Sequence, residues 1–121
     1  MNDIIKLADQ LGKAIADSPA AQAYKRTREQ MNAQPNVMDL LESFRRQSDK
    51  IMQASQKNQP IEVEDKHKLK ELHAKLVSEE AYKNFSAAQV EYFDLMRKVN
   101  ERINSYLSNI EGTAVRRSPE E

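Results

Sequence analysis

The sequence predicts an all-α protein, a bundle of about five helices with a long C-terminal helix, and three observations point that way. Ala, Leu, Glu, Lys, Gln, Arg and Met make up the bulk of the chain, and all are strong helix formers. Two glycines and four prolines are too few for a strand-and-turn protein. Apolar residues recur every three or four positions, and the stretch "YKNFSAAQVEYFDLMRKVNERINSYL", Tyr82 to Leu107, keeps that rhythm without one Gly or Pro. At 121 residues the chain is most simply one domain, here residues 1–111, followed by a flexible tail over 112–121. With three Phe, four Tyr and no Trp, the core must rest mainly on Leu, Ile, Val, Met and Ala, and it must be modest.

Asn2 and Asp3 can cap a first helix, whose apolar positions Ile4, Ala8, Leu11 and Ile15 follow helical spacing. Gly12 inside it costs about 1 kcal/mol relative to Ala, and close packing against a neighbouring helix is the simplest reason for it. Ser18 is a good N-cap, and Pro19 suits the first helical position, where a missing N–H is harmless. The second helix carries Ala20, Ala23, Tyr24, Thr27 and Met31 inward and ends near Asn32 to Pro35. Asn36 is expected to cap the third, with Val37, Leu40, Leu41, Phe44, Ser48, Ile51, Met52 and Ser55 along one narrow face. "QKNQPIEVED" breaks the pattern around Pro60 and reads as a loop with Ile61 and Val63 tucked in.

A fourth helix is predicted from about Glu64 to Val77, with Leu69, Leu72, Leu76 and Val77 inward. Ser78 then reads as a new cap, and Glu79 and Glu80 place negative charge where the dipole of the fifth helix favours it. That helix is expected to run to about Ile110, with Gly112 as its stop. From Thr113 onward there is too little apolar material to pack.

Several function classes find no support. With no cysteine, disulfides, thiolate metal sites and Cys-ligated iron–sulfur clusters are impossible. His67 and His73 are six apart, on different sides of one helix, whereas zinc-binding helices use histidines three or four apart. A di-iron bundle needs Glu-x-x-His on two helices, and Glu64 to His67 is a lone instance of that spacing. The carboxylates Glu62, Glu64, Asp65, Glu79 and Glu80 sit at helix starts or in a loop, where capping explains them. No serine lies in a nucleophile elbow, and no Gly-rich loop could cradle phosphate. The sequence therefore assigns no catalytic, cofactor-binding or metal-binding residue, and the expectation is that the protein is not an enzyme.

Lysine and arginine balance aspartate and glutamate, so the formal net charge is zero. Broad electrostatic capture of nucleic acid or of an anionic membrane needs a basic field. Local clusters exist at Lys25, Arg26 and Arg28 and at Arg45, Arg46 and Lys50, without interleaved aromatics for base stacking. Of these, Lys25, Arg26, Arg28, Arg45 and Arg46 are the candidate RNA contacts, with a plain solvated face as the simpler reading. No run approaches the ~18 apolar residues of a membrane span, and no signal peptide is apparent, so the expected location is the cytoplasm.

That leaves the last helix. Tyr82, Phe85, Gln89, Tyr92, Met96, Val99, Ile103, Tyr106 and Ile110 form one seam in steps of three and four. About 30 residues make a rod of roughly 45 Å at 1.5 Å per residue, about twice the length of the other helices. Such a rod has more apolar length than one chain covers evenly, which predicts a homodimer or higher oligomer; the alternative is that the third and fourth helices cover it, one against each half. The candidate interface residues are Tyr82, Phe85, Tyr92, Met96, Val99, Ile103 and Tyr106.

The order of pieces resembles the YlbF/YmcA family of small helical bacterial proteins, and within it the YheA-like branch. The likeness covers about Leu7 to Leu107. It rests on Ser18 and Tyr24, on Asn32 and Ala33 before the turn, on Phe44 and Arg45 mid-helix, and on the stretch from Ala88 to Ile103. The resemblance implies a cytoplasmic, all-helical, oligomeric protein. It further implies a regulatory role, since better-understood members look like regulators of competence, sporulation and biofilm formation within a complex that influences the RNA-processing enzyme RNase Y. Some members hold iron–sulfur clusters through cysteines. This chain has none, so that cofactor is not carried over.

Overall fold

The structure, a computed structural model, describes residues 2–117, with side chains described for residues 2–111. It is all-helical over that span: α1 (Asn2–Ala16), α2 (Pro19–Asn32), α3 (Pro35–Gln56), α4 (Val63–Val77) and α5 (Glu80–Arg117). Ser18 starts α2 as the sequence predicts. Its Oγ accepts from the Ala21 N–H at 3.2 Å and donates to the Ile15 carbonyl at 2.6 Å, so one hydroxyl joins the end of α1 to the start of α2.

Two other caps differ from expectation. α3 begins two residues earlier than an Asn36 cap would place it, because Pro35 takes the first helical position and Gln34 becomes the N-cap with no side-chain bond. The fixed φ of proline outweighs the capping preference of Asn36. Ser78 closes α4 instead of opening α5, its hydroxyl donating back to the Lys75 carbonyl at 2.7 Å. α3 ends in a Schellman turn, with the Gln59 N–H on the Ala54 carbonyl and the Asn58 N–H on that of Ser55. Asn58 takes the left-handed conformation this turn requires, at φ 57°.

The core sits where four helix ends meet. Met31 closes α2, Val37 and Leu41 open α3, Leu76 closes α4 and Ala81 opens α5; all five are buried, with Met38, Leu40, Phe44, Tyr82 and Phe85 packed around them. Two antiparallel pairs leave this hub. In one, α3 lies along α4, and Gln47 donates to the Asp65 carbonyl at 2.9 Å while Phe44 rests 5.7 Å from the His73 ring. In the other, α2 lies along the first half of α5. Thr27 is buried in this second contact, its hydroxyl satisfied by the Ala23 carbonyl one turn back at 2.7 Å.

α5 is 38 residues long, roughly 57 Å, against roughly 21 Å for α2 at 1.5 Å per residue. The helix continues through Gly112 to Arg117, so the stop read at Gly112 is not there. A glycine ends a helix when the chain needs a left-handed turn to leave it; by itself it only weakens the helix. The flexible tail expected over 112–121 falls in part on residues 118–121, outside the described residues. Met52, Val63 and Val77, read as inward, are exposed, and a further departure is α1. Of its residues only Ile15 is half-buried, and a Cβ added at Gly12 would meet nothing within 4 Å. Close packing within the chain is therefore not the reason for that glycine.

Candidate functional site

The side-chain ion pairs found among the described residues all brace a helix or join two. Asp65, in the first turn of α4, receives the Lys50 ammonium at 3.2 Å and the Gln47 amide at 3.3 Å. The Lys50 hydrogen bond, and after it that of Gln47, holds the carboxyl below its ordinary pKa. Lys50 and Asp65 border an open cleft between the end of α3 and the following loop, lined also by Ala54, Lys57, Pro60 and Glu62. What the cleft presents is a clasp between two helices. His67 is exposed on α4, and His73 lies against Phe44. Among the described residues no group of three His, Asp or Glu side chains is placed to hold a metal ion.

The candidate RNA contacts are all exposed but belong to separate local arrangements. The Arg28 guanidinium lies over the Tyr24 ring at 5.6 Å, and Arg46 pairs with Glu42 one turn away at 3.3 Å. Lys25 and Arg26 stand on α2, Arg45 on α3.

The seam of α5 divides in two. Its first half serves the chain itself: Tyr82 and Phe85 pack on the core, and Tyr92 stacks on Tyr24 at 4.9 Å with the rings 8° from parallel. Phe85 stacks on the same Tyr24 ring at 5.5 Å. Met96 and Val99 are half-buried. Beyond them Ile103, Tyr106 and Ile110 are exposed, while Leu107, slightly off the line, is half-buried. The division falls level with the first residue of α2, because α2 supplies the cover.

The opposite side of the same stretch carries the charges that keep it helical. Arg97 bonds to Asp94 and, at 3.0 Å, to Glu101, and Lys98 reaches Asp94 at 3.1 Å. All are three- or four-residue pairs on one face. The Arg97 bond first, and then that of Lys98, holds the Asp94 carboxyl below its ordinary pKa, and Asp94 in turn raises that of Arg97. The projecting half of α5 is thus a charged ladder on one side and a bare apolar stripe on the other.

Sequence reasoning missed the matching feature on α1. Ile4, Ile5, Leu7 and Leu11 are all exposed, although Ile4, Leu7, Ala8, Leu11 and Ile15 share one face. The spacing was legible, but it reads as a buried face whether the cover comes from the same chain or from elsewhere. Val90 and Phe93 are a smaller exposed pair on another side of α5. No helix among the described residues is long and apolar enough to cross a membrane.

A family model described as "Control of competence regulator ComK, YlbF/YmcA" matches residues 4–108, from the start of α1 to the last turns of the α5 seam. No curated protein and no solved structure matches the chain.

Proposed function

The chain belongs to the YlbF/YmcA family, which is linked to control of the competence regulator ComK, and from that premise we propose a non-enzymatic regulatory or scaffolding protein of the bacterial cytoplasm. It works by presenting helix faces to other proteins. The observation that carries this reading is the pair of bare apolar stripes, on α1 and on the far half of α5. Large exposed apolar side chains lined up on one helix face mark a contact surface. The titratable groups support it from the other side, since the ones with shifted pKa are bound up in inter-helix clasps and surface ladders. Self-association through the α5 seam, beyond Met96, is part of the proposal.

The test replaces the native copy in its host with Tyr106→Glu. Tyr106 is exposed, so the variant should fold and show an unchanged circular dichroism spectrum. Competence, sporulation and biofilm formation should then be altered as they are in the deletion strain. A folded Tyr106→Glu variant that supports all three at wild-type level while the deletion does not would overturn the role given to this surface. A deletion strain normal in all three would overturn the regulatory reading itself.

A further inference from the structure

We infer that the bare face of α1 is the seat for the far half of α5 from a second copy of this chain, given reciprocally across a two-fold axis. The inference rests on the self-association proposed above and assigns its geometry. Four observations lead to it.

The two faces match in form. On α1 the stripe runs through Ile4, Leu7, Leu11 and Ile15, and on α5 through Val99, Ile103, Tyr106 and Ile110. Each is four residues in steps of three and four, so each presents about three turns of helix to a partner. They also begin at the same place. α2 runs antiparallel to α5 with Tyr24 beside Tyr92, so its first residue, Pro19, lies roughly level with Met96 to Val99 at 1.5 Å per residue. α1 departs there through the Ser18 elbow, and there too the α5 seam loses its cover. A second copy docking at that point meets both stripes.

Area favours exchange over a one-way contact. Ile4, Ile5, Leu7, Leu11, Ile103, Tyr106 and Ile110 are between 40% and 81% exposed. Covering a side chain of this size from full exposure hides about 100 Å², so at these fractional exposures the seven hide about 400 Å² from one chain. Two chains exchanging both faces hide about 800 Å² through these residues alone. Ala8, Ala14, Val99 and the stems of flanking polar residues carry the total past the ~1,000 Å² that a specific interface needs. A single α1–α5 contact would reach half of that, and reciprocity follows from two-fold symmetry.

Charge argues against a lipid surface. The polar side of α1 holds Asp3 and Asp9 beside Lys6 and Lys13, a neutral set. Helices that lie on anionic membranes carry Lys and Arg there. A second copy meets no such mismatch, because the chain as a whole has zero formal net charge and its copies do not repel.

The experiment uses the full chain. Leu7→Glu and Ile103→Glu are made separately and checked for wild-type helicity, and solution mass is read by light scattering over a concentration series. Each substitution should shift assembly to at least tenfold higher concentration. Because the chain has no cysteine, Leu7→Cys in a size-tagged copy and Ile103→Cys in an untagged one can be joined by a short bis-maleimide. The mixed product should exceed either homodimeric product. A wild-type chain that is monomeric throughout overturns self-association and this inference together. An oligomeric wild type whose mass survives Leu7→Glu overturns this inference alone. Loss of assembly in Leu7→Glu but not in Ile103→Glu, or homodimeric Leu7→Cys product in excess, gives the face to another α1 and overturns it. Sedimentation of the wild type with phosphatidylglycerol vesicles, abolished by Leu7→Glu, overturns it in favour of a membrane.

Discussion

Tyr24 is where α2 grips α5, and Tyr24→Ala should cost more than any other half-buried substitution in the pair. Its ring is stacked between Phe85 and Tyr92, at 5.5 and 4.9 Å, with Phe93 tilted at 5.9 Å and the Arg28 guanidinium at 5.6 Å. An aromatic side chain can bury 150–250 Å², and a half-buried one hides roughly 100 Å². At about 25 cal/mol per Å² that surface is worth about 2.5 kcal/mol. Two stacked pairs add about 0.5–1.5 kcal/mol each. Burial measured against an extended chain is an upper bound, so the expected loss is about 3–4 kcal/mol. That is a large part of the 5–15 kcal/mol typical of a domain. The assay is urea unfolding followed by circular dichroism, at one fixed protein concentration because assembly would itself add stability. Tyr24→Phe, which keeps the ring, should stay within about 1 kcal/mol of wild type. A Tyr24→Ala variant that loses under 1 kcal/mol would refute the idea that this stack holds the two helices together.

Three further outcomes are expected. Leu76→Ala empties the centre of the hub, where Leu76 is fully buried between four helix ends; it should cost about 2–5 kcal/mol and show a lowered urea midpoint. Gly12→Ala should raise the stability of α1 by up to about 1 kcal/mol, since nothing lies within 4 Å of the added methyl, and amide exchange in α1 should slow; a destabilised variant would contradict the open surroundings of Gly12. Asp94→Asn should lower the helicity of the far half of α5 at pH 7. The native Asp94 carboxyl is lowered below its ordinary pKa, first by Arg97, so its contribution is present above about pH 4 and is lost as the pH falls through the lowered native value. The difference between Asp94→Asn and wild type should therefore shrink as the pH falls through that lowered value, and one that stays unchanged in acid would contradict the ladder.

The helices were legible because their signals are local. Ser18 before Pro19, the periodic run after Asn36 and the long unbroken stretch after Glu80 each announce an element without reference to the rest of the chain. Boundaries failed where two local signals competed, as Pro35 did with Asn36 and as the end of α4 did with the start of α5 at Ser78. Partners were less legible than elements. The stripe on α3 becomes polar towards its end, and that change conceals Gln47, which is buried and clasps the first turn of α4 through Asp65. α1 shows the limit most clearly. Ile4, Leu7, Leu11 and Ile15 have the spacing of a buried face, and the fold leaves all but Ile15 exposed. Periodicity reports that a face is apolar and is silent about what covers it.

The most direct test of the assembly surface is the solution mass of the wild-type chain by light scattering, from low micromolar to millimolar concentration. A multiple of the 13.9 kDa chain mass, falling towards that value only on dilution, is the predicted result. A mass of 13.9 kDa at every concentration would contradict it and leave the stripes on α1 and α5 to a partner other than self.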